Sequence, residues 1–154
     1  MDIEEKLKAI HEAIFEGELM DATQLTKQLV EEQIDSALIL RGAIIPAIRE
    51  IGESMEEGDF FMPEVKISTK VLQEVAGILR PYVISPENLA DLKVPPWTGE
   101  GDIDDIGTYL KATIEQSMDL PVQDQMGVLD MIANGLDTHE FTPCKIQASE
   151  ADEK

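Results

Sequence analysis

Apolar residues recur at helical spacing along the first half of the chain. In residues 2–16 they lie three or four positions apart with polar residues between them, which predicts an amphipathic helix that ends at Gly17. Residues 20–33 repeat the pattern more weakly. Residues 35–57 are apolar almost all round, so they predict a helix in the middle of a bundle, with a kink or break at Pro46.

A fourth helix is predicted after the turn at Gly58-Asp59. Pro63 suits the first helical turn, and apolar residues from Val65 to Leu79 form one face that ends near Pro81. Four helices with short connections predict a four-helix bundle over residues 1–83.

The character of the sequence changes after Val83. Residues 84–101 contain Ser85-Pro86 and Pro95-Pro96 together with two glycines, which is typical of a linker, and Trp97 is expected to anchor it by packing. Apolar spacing predicts further helices over 103–118 and 122–137, and the polar residues 139–154 predict a flexible tail. We therefore expect a mainly α protein divided into residues 1–83, 84–101, 102–138 and 139–154.

Charge and cysteine content narrow the classes of function. The formal net charge of −20 argues against a nucleic acid or an anionic membrane as partner. Cys144 is the one cysteine, so no intramolecular disulfide forms and a reducing compartment is expected. The acidic, amphipathic N-terminus is unlike a signal peptide, and no apolar run approaches membrane-spanning length. These features predict a cytoplasmic protein.

Several short motifs in the first 83 residues occur in the order and spacing of one known family. They are Ala13–Glu18, Ile44–Ile48, Ile51-Gly52 with Met55, Gly58–Val65 and Leu79–Pro81. By these motifs the segment resembles the helical cap domain of methyltransferase cognate corrinoid proteins, a group that includes the cobalamin-binding part of methionine synthase. The resemblance implies that a doubly wound α/β domain follows the cap.

The first loop of that second domain reads Asp-x-His-x-x-Gly in the family, and its His binds the cobalt from below. Here Gly101–Gly107 keeps Asp102 and Gly107 but has Asp104 at the position of the His. Pro95-Pro96 occupies the place of the strand before the loop, where proline cannot donate to an interior ladder. We therefore expect residues 102–138 to be a short, mostly helical, degenerate remnant of the cobalamin-binding domain.

The acidic residues of this loop allow three interpretations. Asp102, Asp104 and Asp105 can cap a helix that begins near them, because carboxylates are favoured at a helix N-terminus. The loop can instead lie beneath a corrinoid without a protein ligand to cobalt, since carboxylate oxygen is a harder donor than imidazole. The third interpretation is a site for a hard cation such as Ca²⁺ or Mg²⁺.

The resemblance also implies a role for the start of the fourth helix, where the family places apolar residues over the upper face of the corrinoid. Phe61 and Met62 stand at that place, and ordinary core packing is the alternative. The candidate cofactor-binding residues are thus Phe61, Met62, Asp102, Asp104 and Gly107. We predict neither a catalytic residue nor a protein ligand to a metal.

Two functions follow from the resemblance. In the first, the chain binds a corrinoid such as cobalamin and carries methyl groups between partner methyltransferase subunits, as a carrier or accessory subunit rather than an independent enzyme. Replacement of the family His by Asp104 then implies impaired cofactor binding. In the second, the chain is a non-catalytic helical interaction or regulatory module that no longer binds cobalamin. A cap without its sheet domain would expose an apolar face, so a partner or a homo-oligomer is expected to cover it.

Overall fold

Two glycines end helices in the first half of the chain, as the sequence predicts. The computed structural model describes residues 2–141. Helix α1 (Ile3–Glu16) ends at Gly17, whose φ of 76° is in the left-handed region. Helix α2 (Leu19–Glu31) follows directly. Gly58 ends a later helix, α4 (Ile45–Glu57), in the same way as Gly17, with a φ of 82°.

The predicted break at Pro46 is confirmed, and it takes the form of a change in helix type. Helix α3 (Ser36–Ile39) passes into a π-helical segment (Leu40–Ile44) and then into α4 (Ile45–Glu57). Pro46 lies in the first turn of α4. A proline has no N–H and its ring would clash with the carbonyl four residues earlier, so the wider π turn accommodates it.

Helix α5 (Met62–Val83) completes the bundle and passes Pro81 by two residues. The shared core of these helices is fully buried, for example at Ile10, Ile14, Leu40, Ile48 and Leu72. Two apolar residues within the predicted helices are not buried in the core, since Leu38 is 44% exposed and Ile67 is 51% exposed. An apolar stripe can be wider than the surface that neighbouring helices cover.

The second half of the described chain is helical and packs on the bundle. Helix α6 (Ile103–Ser117) lies against α4, and α7 (Val122–Thr138) lies against α5. Ile106, Leu110 and Ile114 of α6 are buried in the common core. The predicted mainly α fold is confirmed, and residues 2–141 contain no strand. The division into four domains stays a prediction.

The predicted linker is packed against α7 along part of its length. A 3-10 helix (Pro86–Asp91) is followed by extended chain, in which Val94 contacts Gly127 and Trp97 contacts Gly135. Trp97 is therefore the packing anchor that the sequence predicts. Cys144 and residues 142–154 of the predicted tail lie outside the described residues. None of the helices in residues 2–141 is both long enough and apolar enough to span a membrane.

Candidate functional site

The start of α5 presents one aromatic ring to solvent and buries its neighbour. Phe60 is 4% exposed, and its ring centroid lies 5.0 Å from that of Phe15. Phe61 is 60% exposed and precedes the first residue of α5. The Phe61 N–H donates to Oε1 of Glu64 at 3.1 Å, which fixes the backbone at this position. Phe61 is thus an apolar group on a rigid helix end.

Met62 lies on the side of α5 that meets α7. It is half-buried and precedes Lys66 by one helical turn, so the two side chains share a face. Nζ of Lys66 donates to the carbonyl oxygens of Leu136 and Asp137, both at 3.4 Å. The last turn of α7 is therefore held next to the first turns of α5.

The loop before α6 is organised by hydrogen bonds within the loop and the helix that it starts. Oδ1 of Asp102 accepts from the N–H of Asp105 at 3.0 Å, and Oδ2 of Asp105 accepts from the N–H of Asp102 at 3.3 Å. Gly101 has a φ of 100°, and a Cβ there would lie 2.2 Å from Oδ2 of Asp105. This reciprocal pairing is a capping box, so the helix-cap interpretation of Asp102 and Asp105 is confirmed.

Asp104 and Gly107 of α6 differ in burial. Asp104 is exposed in the first turn, whereas Gly107 is buried where α6 crosses α4. A Cβ on Gly107 would lie 2.5 Å from the carbonyl oxygen of Gly52 and 2.9 Å from Cβ of Met55. Gly107 therefore allows two helix backbones to approach closely. Its binding of a corrinoid, like that of Asp102 and Asp104, stays a prediction.

A polar cluster holds α6 beside this crossing. The Thr108 hydroxyl donates to Oε2 of Glu56 at 2.6 Å, and Nζ of Lys111 lies 3.1 Å from Oε1 of the same carboxylate. The hydrogen bond from Thr108, followed by the one from Lys111, lowers the pKa of Glu56 below its ordinary value. The same carboxylate raises the pKa of Lys111. These contacts stabilise the packing of α6 on α4.

Sequence reasoning missed an aromatic cluster at the end of α7. The Trp97 ring lies edge-on to Tyr109 at 4.9 Å and to His139 at 6.0 Å between centroids. The ring of Phe141 lies 4.7 Å from that of His139 and 5.7 Å from Nζ of Lys66. The glycines at 127 and 135, each facing the extended segment, were the signal in the sequence that a chain passes close to α7.

The two histidines lie in different parts of the fold, and His139 contacts the loop before α6. Nε2 of His139 lies 3.1 Å from the carbonyl oxygen of Gly101, within the aromatic cluster. Nε2 of His11 lies 3.6 Å from Oε2 of Glu50, which joins α1 to α4. As for the hard-cation interpretation, residues 2–141 hold no group of three or more His, Cys, Asp or Glu side chains suited to a metal ion.

Comparison with known proteins finds a family match for the segment that contains Phe61 and Met62. The model of the family described as the B12 binding domain matches residues 6–80, which span α1 to α5. This match covers just under half of the chain. The relationship to corrinoid proteins that the sequence predicts is confirmed by this match and by the relatives of the chain.

Those relatives are named as corrinoid proteins. The chain is 28% identical over 104 residues to a corrinoid protein of Desulfitobacterium hafniense, covering 66% of this chain and 48% of the relative. It is 26% identical over 106 residues to monomethylamine corrinoid protein 1 of Methanosarcina mazei, with coverages of 66% and 48%. It is 27% identical over 107 residues to dimethylamine corrinoid protein 1 of Methanosarcina acetivorans, with coverages of 68% and 49%.

The chain thus spans about half the length of the curated relatives that it matches. No solved structure matches it significantly.

Proposed function

We propose that this protein is a corrinoid-binding protein of the methyl-carrier type that serves partner methyltransferases. The observation that carries the proposal is that residues 6–80 match the B12 binding domain while Phe61, within that match, is 60% exposed on a fixed helix end. Two of the relatives are named as monomethylamine and dimethylamine corrinoid proteins, and these names support the same role. A bound corrinoid would supply the cobalt that accepts and releases the methyl group.

In this proposal Phe61 and Met62 would lie against the upper face of the corrinoid. The ring of Phe61 would exclude water from that face, and the hydrogen bond from its N–H to Glu64 holds its backbone in position. Phe60 anchors the turn from below through its contact with Phe15. An apolar cover of this kind suits a reactive group that water would otherwise reach.

The residues of the loop before α6 do not fit a site beneath the corrinoid. The Asp102 carboxylate accepts a hydrogen bond from the backbone N–H of Asp105, and the backbone of Gly107 packs on that of Gly52. Asp104 is exposed and offers a hard oxygen donor where the family has imidazole. We therefore propose that this chain supplies no cobalt ligand from residues 102–107, so its corrinoid binding is weaker than that of a loop with His.

A second candidate is a helical interaction or regulatory module of a corrinoid methyltransferase system that does not bind cobalamin. The observation that favours it is the close packing of α6 on α4 at Gly107 and Gly52, reinforced by the pairing of Lys111 with Glu56. This packing gives the loop a structural role that is independent of any ligand.

The two candidates are separated by a binding experiment. The protein is mixed with hydroxocobalamin, passed through a desalting column and examined by visible absorption. Retention of the corrinoid band is expected, with a Phe61→Ala variant retaining less. Tyr82→Ala is a matched control, because Tyr82 is 63% exposed on the same helix at its other end. A chain that retains no corrinoid contradicts the first candidate, and equal retention by both variants contradicts the role of Phe61.

A further inference from the structure

The packing of the described residues does not require a glycine at position 77. It lies inside α5 on an exposed side, and nothing lies within 4 Å of the place that a Cβ would occupy. By contrast, Gly52 and Gly107 each face a neighbouring helix within 3.0 Å of that place. A glycine inside a helix destabilises it relative to alanine. The space above Gly77 is therefore available to a chain outside the structure.

Gly77 lines a groove between α2 and α5, which we call the α2–α5 groove. Its walls include Leu19 and Met20 of α2 and Ile78 of α5, and Met20 is 68% exposed. An adjoining hollow shares Leu19 and adds Ile67, which is 51% exposed. Four large apolar side chains thus border one continuous surface around a glycine. Isolated exposed apolar residues need no explanation, but a contiguous set of them marks an interaction surface.

The groove and the adjoining hollow together carry a charge opposite to that of the whole protein. The chain has a net charge of −20, yet Lys27 and Glu74 line the groove and Lys66 and Lys70 line the adjoining hollow. No carboxylate of residues 2–141 pairs with Lys27, and Lys70 meets only Glu74 at 3.7 Å. The neighbouring groove between α1 and α2 carries only acidic charges, at Glu12, Glu16, Glu18 and Asp21.

We propose that the α2–α5 groove binds an amphipathic helix of another protein, with the apolar face of that helix over Gly77 and carboxylates on its flanks. The stretch of α5 from Ile67 to Ile78 is about 16 Å long, which matches three turns of a helix. Apolar residues on one helix face fit such a groove, and Gly77 lets the bound backbone approach closely. Lys27 and Lys70 select carboxylates at the edges. This surface lies along α5 beyond Phe61, and the proposal does not depend on corrinoid binding.

Two synthetic helical peptides test the chemistry of the groove. They have equal length and identical leucine positions, but one carries glutamate and the other lysine on its flanks. The overall charge of −20 favours the lysine peptide on every other surface, so the groove predicts the opposite preference. Fluorescence anisotropy with the full chain should show saturable binding of the glutamate peptide and weaker binding of the lysine peptide.

Substitutions locate that binding. Gly77→Gln and Lys27→Glu should each weaken binding of the glutamate peptide by about tenfold. The first substitution fills the space above position 77, and the second reverses a charge at the edge of the groove. Lys93→Glu, an equal charge change at an exposed residue outside the groove, should leave the affinity close to that of the parent chain. Gly77→Gln should also raise the Tm, which shows that the variant is folded.

Three results would overturn the proposal. They are failure of the glutamate peptide to saturate, a preference for the lysine peptide, and equal affinity of Gly77→Gln and the parent chain. Sedimentation adds a fourth: a dimer of the parent chain that Gly77→Gln dissociates would assign the groove to a second copy of this protein instead.

Discussion

Gly107 of α6 lies against Gly52 of α4 so closely that a Cβ on Gly107 would stand 2.5 Å from the carbonyl oxygen of Gly52. Both residues are buried, and Glu56 on the next turn of α4 holds α6 through Thr108 and Lys111. This crossing attaches the second half of the described chain to the B12 binding domain. Stability of the molecule should therefore depend on these two positions lacking side chains.

Gly107→Val should lower the free energy of unfolding by about 1–3 kcal/mol, because the added atoms overlap the backbone of α4. Gly77→Ala is the matched control. It also replaces a glycine inside a helix, but with open space above it, so it should raise the free energy by about 1 kcal/mol. Urea unfolding measures both. Equal destabilisation by the two substitutions would mean that the close crossing does not limit side-chain size.

Gly135→Ala should displace Trp97 from α7, because a Cβ at position 135 would lie 2.1 Å from the indole ring. Trp97 is the one tryptophan of the chain, so its fluorescence reports this contact directly. A red-shifted emission is expected as the indole becomes more exposed to water. Asn134→Ala, at an exposed neighbouring position of α7, is the control and should leave the emission unchanged. An unshifted spectrum in Gly135→Ala would count against the packing of the linker on α7.

Asp102→Ala should destabilise the protein by about 1 kcal/mol, because the N–H of Asp105 loses its acceptor. Asp102→Asn keeps an oxygen in the same place and should cost much less. Asp104→Ala serves as the control, because Asp104 is an exposed residue of the same helical turn. Urea midpoints distinguish the three variants. If the asparagine variant is as unstable as the alanine variant, the hydrogen bond is not what stabilises this helix end.

Asp104→His restores the family residue at the loop and tests whether the loop lies beneath cobalt. Because Asp104 is exposed while Asp102 and Gly107 are engaged in capping and packing, the hydroxocobalamin complex should keep the spectrum of the parent chain. Free imidazole added to the complex gives the reference spectrum of nitrogen-ligated cobalt. A shift of the variant towards that reference would place the loop below the metal.

Lowering the pH should weaken the attachment of α6 through Glu56. The hydrogen bonds from Thr108 and Lys111 hold the pKa of the folded carboxyl below its ordinary value of 4.5. The stabilisation is therefore present above pH 4.5 and is lost as the pH falls through the lowered value in the folded protein. Glu56→Gln should flatten this acid limb of a plot of stability against pH.

The exposed neighbour Glu57 supplies the control for that experiment, since Glu57→Gln should leave the slope of the acid limb as it is in the parent chain. Thermal unfolding across the acid range measures the slope. An acid limb that is equally steep in Glu56→Gln would show that other carboxyl groups cause the loss of stability.

Local signals in the sequence determined the helices of this protein and its resemblance to corrinoid proteins. The spacing of apolar residues, the stops at Gly17 and Gly58 and the break at Pro46 depend on a few neighbouring residues, so they are readable without a structure. The motifs from Ala13 to Pro81 likewise lie within the B12 binding domain that the family comparison matches. The sequence also allowed a capping role for Asp102, but only as one of three alternatives.

Only the tertiary structure showed the capping hydrogen bonds of Asp102 and placed the rest of the site. Gly52 and Gly107 are far apart in the sequence, and the spacing of neither helix indicates that their backbones meet. The same holds for Trp97 on Gly135, and for which of Phe60 and Phe61 is buried. Periodicity identifies the apolar face of a helix, but the element that covers this face depends on packing between segments distant in the chain. Tertiary packing therefore makes Gly107 a contact between helices, and its role in a cofactor loop stays a prediction.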